Sequence, residues 1–196
     1  MRGCFRMNKI ALWSNRMRLF IVLFTLFCWR QFALSTIAKI LETRTSLEYD
    51  AVLFYGVYYL STVFFTIVSA FTFKSFNRKL GIKAWPVLAI ASSIYLLLFG
   101  AENIMNSIFY LFFAGASFGI GIPFGLAHFG ENTSIENRGR YGAVIFFFTS
   151  FMFVAIAIIS KIFSTQHFML LSLFWAFSSL VLFLTLNLET TSIRGG

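Results

Sequence analysis

The chain has 196 residues, of which 59% are hydrophobic and 12% are charged. Because an ordinary soluble domain carries about 25% charged residues, this composition excludes a water-soluble globular protein and favours one surrounded by lipid. The net charge of +9 would suggest nucleic-acid binding in a soluble protein. Here the basic residues cluster between apolar blocks, and we therefore expect no nucleic-acid partner.

Six apolar blocks are long enough to cross a bilayer as α-helices, which takes about 20 residues each. Backbone groups in lipid must bond within their own segment, and the blocks are too long for barrel strands, so an all-α membrane protein is predicted. The predicted spans are residues 19–41, 51–73, 84–101, 104–127, 142–160 and 168–188. Residues 1–18 would form a basic N-terminal segment, residues 19–188 one transmembrane domain and residues 189–196 a C-terminal tail.

Positive charges are distributed unequally between the two sides of the membrane. With six spans both termini share one side, where the basic residues are Arg2, Arg6, Lys9, Arg16, Arg18, Lys74, Arg78, Lys79, Lys83, Arg138, Arg140 and Arg194. The opposite side carries Lys39, Arg44 and Lys161. Positive-inside bias therefore predicts a multi-pass protein of the cell membrane with both termini in the cytoplasm.

The beginning of the chain has a second interpretation. A basic start, the apolar run 19–29 and small residues near Ala38 also fit a cleaved signal peptide. Cleavage would leave five spans and move the C-terminus to the other side, against the charge distribution, so we expect the first span to be retained.

Arg30 lies near the middle of the first span, about 17 Å along that helix. A charge at this depth is costly and should face a water-filled cavity or a partner. With Trp29 and Gln31 it is a candidate for substrate binding, since guanidinium forms forked bonds to carboxylate or phosphate. The alternative is an arginine bonded to backbone carbonyls or tyrosine hydroxyls, or a first helix broken around Trp29–Gln31.

The second span has a polar face, on which residues recur at spacings of three and four over an arc of roughly 100°. These residues are Tyr55, Tyr58, Tyr59, Thr62, Thr66 and Ser69. The first five are candidates for substrate binding. Hydroxyls bonded across a helix interface, or tyrosines in an interfacial belt, explain the pattern at least as well.

Glycines lie on two sides of the fourth span, Gly115 and Gly119 on one and Gly121 and Gly125 on nearly the opposite one. Small residues let neighbouring helices approach closely, so the fourth helix is predicted to be central and packed on both sides. Pro123 is expected to kink it.

The stretch after the fourth span carries a family resemblance. Gly121-Ile-Pro-Phe-Gly125 is followed by Glu131 and then by Glu136-Asn-Arg-Gly-Arg-Tyr-Gly142. This order resembles the major facilitator superfamily, whose fourth helix is glycine-rich and whose next cytoplasmic loop often reads acidic residue, short spacer, Arg-Gly. The residues that carry the resemblance in this loop are Glu131, Arg138, Gly139 and Arg140.

The loop after the second span matches the same family in part. Lys79, Gly81 and Lys83 fit its motif, whereas Lys74 and Arg78 replace the usual glycine and aspartate. In the family this loop helps to control opening on the cytoplasmic side through charge contacts. Loss of the acid puts the usual ion pairing of that gate in doubt, and for Lys74 and Arg78 a plain orienting role is preferred.

The resemblance implies half of a transporter, with six helices arranged as two inverted three-helix repeats and with the first and fourth helices lining a cavity. The expected function is secondary transport of a small solute, anionic if Arg30 anchors it, by alternating access. The partners would be the bilayer, the solute and a second six-helix half, either another copy or a separate chain. Drug/proton antiport is disfavoured, since the fourth span has no charged residue and the fifth no proline.

Two alternatives stay open. The chain could be a truncated transporter remnant or a membrane-embedded interaction subunit without a solute path. An enzyme is the third reading, disfavoured because no His, Asp, Glu or Ser-His constellation clusters on the spans. No cofactor or metal site is expected, and Cys4 and Cys28 are too far apart in depth to pair.

Overall fold

The structure is a computed structural model that describes residues 2–42, 47–72 and 78–185, with side chains from residues 20, 49 and 80 onward in these ranges. The described ranges form six helices, namely α1 (Arg2–Glu42), α2 (Leu47–Thr72), α3 (Arg78–Phe99), α4 (Ile104–Asn132), α5 (Ile135–Ile162) and α6 (Thr165–Thr185). Each contains a segment long and apolar enough to cross a membrane. The predicted all-helical class and the six spans are confirmed.

The helices extend beyond the lipid-crossing segments. Residues 128–141, predicted as a connection, are helical except for Thr133 and Ser134, so the loop assignment was wrong there. The backbone N–H groups of Asn137 and Arg138 both bond to the Ser134 carbonyl, which starts α5 immediately. Hydropathy marks the part of a helix that lies in lipid, whereas polar turns continue the helix into water. The predicted span ends at residues 73 and 188 lie outside the described residues.

The connection between α3 and α4 is closed by two capping residues. Gly100, at φ +70°, donates its N–H to the Leu96 carbonyl over 3.0 Å and ends α3 in the left-handed conformation that favours glycine. Asn103 starts α4 by accepting a 2.9 Å hydrogen bond from the Met105 N–H. These residues turn the chain back within four positions.

The helices pack around α1 and α4. α4 lies against α2, α3 and α1, while α1 also packs on α5 and α6, and α3 packs on α6. In the apolar stretch of each span, 61% of residues are buried in α1 and in α4, against 22% in α2 and 17% in α5. The prediction that the fourth helix is central is therefore confirmed.

Glycines set the distance between α4 and its neighbours on two faces, as predicted. A Cβ added at Gly119 would lie 2.5 Å from the carbonyl oxygen of Thr62 on α2. On the opposite face, a Cβ at Gly125 would lie 3.1 Å from the Leu23 side chain of α1, and one at Gly121 would overlap Leu26. Only a residue without a side chain allows the backbones of α2 and α4 to come this close.

Pro123 leaves one backbone carbonyl of α4 without a helical donor at the close contact with α2. Pro123 has no N–H, so the carbonyl of Gly119, four residues earlier, lacks its intrahelical donor. Thr66 and Ser69 of α2 direct their hydroxyls to this carbonyl, at 3.2 and 3.4 Å. In lipid no water can serve instead, and the neighbouring helix satisfies the group that the proline exposes.

We predict that Gly119→Ala destabilises the bundle by about 1–3 kcal/mol, because the new methyl group forces α2 away from α4. Gly130→Ala, in the same helix, is the matched control. A Cβ at Gly130 meets nothing within 4 Å, and this change should be neutral or stabilising by up to about 1 kcal/mol. Thermal unfolding of the purified protein in detergent measures both, and equal effects would contradict the packing described.

The orientation predicted from charge can be tested at two serines that occupy equivalent two-residue connectors. In a background without Cys4 and Cys28, we expect a membrane-impermeant maleimide to label Ser164→Cys in intact cells and Ser134→Cys only after permeabilisation. Both serines are exposed, so access to the reagent depends on the side of the membrane. The reverse labelling pattern would refute the predicted topology.

Candidate functional site

Arg30 is a half-buried cation near the middle of the first span, which runs from Phe20 to Glu42. Its guanidinium carbon lies 5.9 Å from the centroid of the Phe118 ring on α4. α1 continues unbroken through this position, so the alternative of a helix broken around Trp29–Gln31 was wrong. Among the described residues no hydrogen bond or ion pair engages the guanidinium.

Two buried tyrosine hydroxyls accompany this cation. Tyr58 of α2 and Tyr110 of α4 are at most 1% exposed, and neither hydroxyl finds a hydrogen-bond partner in the described part of the chain. The Tyr58 hydroxyl lies within electrostatic range of both Arg30 and Tyr110. A buried hydroxyl without a partner costs roughly 1–3 kcal/mol. Tyr58 is the one that lies near Arg30, whereas the Tyr110 hydroxyl lies near Thr36 of α1.

Tyr110 was not identified from the sequence. It belongs to a buried strip of α4 that also contains Ser107 and Ser117, at spacings of three and seven residues. This spacing places the three residues on one helix face, and that polar strip on an otherwise apolar helix was the available signal. A single tyrosine among many aromatic residues gave no reason to choose it.

Trp29 and Gln31, the sequence neighbours of Arg30, have different surroundings. Trp29 is fully buried and donates its indole N–H to the Ser117 hydroxyl of α4 over 2.7 Å. It therefore joins α1 to α4 in the core instead of lining an open surface. Gln31 is half-buried, 100° further around the helix, and the structure does not bring it into the tyrosine pair.

The polar face of α2 divides into two parts. Thr62 and Thr66 direct their hydroxyls to the carbonyls of Gly115 and Gly119, at 3.3 and 3.2 Å, and are used in helix packing. Each also bonds a carbonyl of its own helix, at 2.8 and 2.7 Å. For these two candidates the structure supports the packing alternative.

The tyrosines of α2 occupy the other part of that face. Tyr55 is half-buried and Tyr59 is 43% exposed, with their ring centroids 6.4 Å apart. Tyr59 also packs edge to face on Tyr58, at 5.4 Å. The three rings form a chain from the surface of the bundle to the buried hydroxyl beside Arg30.

Phenylalanine rings form the other side of this region. Phe118, which faces the guanidinium, lies 6.2 Å from Phe27 of α1, and Phe27 lies 5.7 Å from Phe146 of α5. Phe118 is buried, Phe27 half-buried and Phe146 59% exposed. An apolar path of three rings thus connects the arginine to the exposed face of α5.

The residues of the predicted gate lie on helices. Arg138 of α5 donates through Nη2 to the Gly130 carbonyl and through Nε to that of Thr133 over 3.3 Å. It thereby caps the last turn of α4, where carbonyls lack helical donors and a cation complements the helix dipole. Gly139 and Arg140 are exposed on the first turns of α5.

The remaining gate residues lie on α3 and at the end of α4. A Cβ at Gly81 would lie 2.5 Å from the Phe124 ring, so this glycine serves close packing of α3 on α4. Lys83 is half-buried, and Glu131 is exposed but engaged in an interaction. Lys74 and the side chains of Arg78 and Lys79 lie outside the described part of the structure.

A second set of cations joins the C-terminal ends of α1 and α5, at the end of α5 opposite to Arg138. Lys39, 8% exposed, donates to the carbonyl of Phe163, the residue that caps α5, over 2.7 Å. Its ammonium also lies 6.0 Å from the Phe168 ring centroid. Nearby, Lys161 pairs with Glu42 on the surface. The C-terminus of α5 is therefore fixed to α1 by charge.

Comparison with known protein families, curated proteins and solved structures finds no match to this chain. Within residues 2–42, 47–72 and 78–185 there is also no group of three His, Cys, Asp or Glu side chains that could hold a metal ion. What the site can do chemically must therefore be inferred from its own geometry, which offers hydrogen-bond donors and one positive charge between aromatic walls.

We predict that Lys39→Met destabilises the protein by about 1.5–3 kcal/mol, because it removes a charge-assisted hydrogen bond and leaves the Phe163 carbonyl without its donor. Lys161→Met removes the same charge from the neighbouring surface pair, where the side chain is 70% exposed. Its cost should not exceed about 1 kcal/mol. Unfolding midpoints in detergent compare the two variants, and an equal loss of stability would contradict the role given to the Lys39 hydrogen bond.

Proposed function

We propose that this chain is one six-helix half of a secondary transporter of the major facilitator type, which moves a small solute by alternating access. It works with a second half, either another copy of itself or a separate chain. The solute binds on the side of α1 and α4 where Arg30 is half-exposed, and no cofactor takes part. The bilayer surrounds the remaining surface.

The observation that carries this proposal is the state of Arg30. A guanidinium near the middle of a membrane span, partly exposed and without a hydrogen-bonded partner among the described residues, cannot face lipid without a large cost. It needs water, a ligand or another protein surface. A water-filled cavity between two halves supplies the first two, which is why a solute path explains this residue better than packing does.

The pattern of helix packing supports the inverted-repeat arrangement. Exchanging α1 with α4, α2 with α5 and α3 with α6 converts the α2–α4 pair into α5–α1, and α3–α4 into α6–α1. The α1–α4 and α3–α6 pairs are converted into themselves. This correspondence among the main contacts is what two three-helix units of opposite orientation would produce.

The distribution of exposed surface supports a second half. α2 and α5 are the least buried helices, and they pack mainly on the two central helices, α2 on α4 and α5 on α1. Arg30 of α1 and Tyr55 of α2 are partly exposed. A second six-helix unit placed over these two residues would cover them, whereas lipid would leave them in hydrocarbon.

A non-transporting membrane subunit is the alternative proposal. The bonds of Thr62 and Thr66 to α4 carbonyls favour it to the extent that they assign part of the polar face to packing. They do not account for Arg30. A transport role requires Arg30 for solute binding, whereas a purely structural role does not.

The test is uptake of labelled carboxylates, amino acids and sugars into vesicles that contain only the purified chain. We expect at least one solute to enter faster than into protein-free vesicles, and Arg30→Ala to lower that rate by about tenfold or more, since a charged hydrogen bond is worth that much. Lys161→Ala, which removes an exposed cation, should leave the rate unchanged. Absence of uptake by a strictly monomeric protein would reject transport by this chain alone and favour the non-transporting alternative.

A further inference from the structure

α1 is much longer than its lipid-crossing segment. The helix begins at Arg2, whereas the span begins at Phe20. Residues 2–18, called the α1 arm, continue the helix by about 26 Å at 1.5 Å per residue. The headgroup zone on one side of a bilayer is about 5–7 Å thick, so most of the arm lies in water, on the side predicted to be cytoplasmic.

The basic residues of the arm share one face of the helix. Positions that repeat at spacings of four and three hold Arg2, Arg6, Lys9, Trp13 and Arg16. At 100° per residue these positions, called the basic stripe, lie within an arc of roughly 80°. The arm contains no acidic residue, the first of the chain being Glu42, and Arg18 is its only cation off the stripe.

Orientation in the membrane does not explain this arrangement. The positive-inside bias depends on how many Lys and Arg residues lie near a span, whichever face of the helix they occupy. Spacings of four and three along one face are instead the pattern by which one helix packs lengthwise on another. The stripe therefore has the shape of a surface for a second helix.

The same stripe continues into the span as the open side of α1. From residue 20 onward most side chains of α1 are buried. The partly exposed ones that lie on the arc of the basic stripe are Phe20, Phe24, Phe27, Gln31, Leu34 and Ala38. The basic stripe is thus in register with the side of α1 that is turned away from the core of the bundle, where a second helix has access.

The rest of the arm argues against a lipid surface as the partner. A helix that lies on a bilayer needs a broad apolar face opposite its basic one. Opposite the basic stripe the arm carries Cys4, Ala11, Asn15 and Arg18, which do not form such a face. α1 also runs without a break from the arm into the span, which keeps the arm in line with the span instead of flat on the membrane.

We propose that the α1 arm binds an acidic helix of another protein. Asp and Glu side chains of that helix pair with the four cations of the basic stripe, and an apolar residue packs on Trp13. A second copy of this chain does not supply such a helix, because its seven acidic residues are scattered along the sequence. The interaction goes beyond the proposed function, since it requires neither a solute nor Arg30.

Fluorescence anisotropy of a labelled peptide tests the proposal with the full chain in nanodiscs of zwitterionic lipid. The striped peptide is an alanine-based helix with four glutamates and one leucine at spacings of four and three. The scattered peptide has the same composition, with its glutamates spread around the helix. We expect the striped peptide to bind about tenfold more tightly, because several exposed ion pairs together supply a difference of this size.

Two exchanges of neighbouring residues move charges off the stripe without changing the net charge. Asn8→Lys combined with Lys9→Asn, and Asn15→Arg combined with Arg16→Asn, each shift one cation by 100° around the helix. Together they should weaken binding of the striped peptide several-fold and leave the thermal unfolding midpoint unchanged. Arg18→Gln is the matched control, since it removes a charge that lies off the stripe, and it should leave binding unchanged.

Equal binding of the striped and scattered peptides would overturn the proposal, as would an affinity that the two exchanges do not alter. Single-stranded polyuridine RNA and vesicles of phosphatidylserine are the competing probes. Tighter binding of either one than of the striped peptide would also overturn it, because the arm would then recognise the phosphates of a nucleic acid or of a lipid surface.

Discussion

The carbonyl of Gly119 has no donor in its own helix, because Pro123 follows it by four residues, and the hydrocarbon of a bilayer offers none. α2 supplies two hydroxyls, from Thr66 and Ser69, and reaches the carbonyl only since Gly115 and Gly119 leave no side chains in between. Each hydroxyl also bonds a carbonyl of α2, so the bond to Gly119 is shared and adds to the close packing that the glycines permit. With α2 held there, Tyr58 is carried into the interior beside Arg30.

The same helix face thus serves two purposes that differ along its length. Near Gly119 the hydroxyls of α2 satisfy backbone groups and make the contact with α4 stable. About two to three turns away, Tyr58 retains a hydroxyl that nothing in the described structure uses. A buried polar group that is left unsatisfied calls for an explanation, and the proposed solute site at Arg30 is one.

Hydropathy and charge were sufficient to predict the all-helical class and the approximate position of every span, because the bilayer imposes both length and polarity on a crossing helix. The central position of α4 was readable from its glycines. The roles of single polar residues could not be predicted from the sequence. Thr62 and Tyr58 are one turn apart on the same face, and only the location of α4 decides that the Thr62 hydroxyl bonds across the interface while the Tyr58 hydroxyl does not. Trp29 was misleading for the same reason, since its partner Ser117 is 88 positions away.

Cations anchor α5 at both of its ends. Arg138 ties its first turns to the end of α4, and Lys39 holds the carbonyl just beyond its last turn. Between these anchors one side of the helix is exposed and rich in aromatic residues, including Phe147 and Phe151. A helix that is held at both ends has little conformational freedom to lose. A helical surface that packs against α5 would therefore do so with a small loss of conformational entropy.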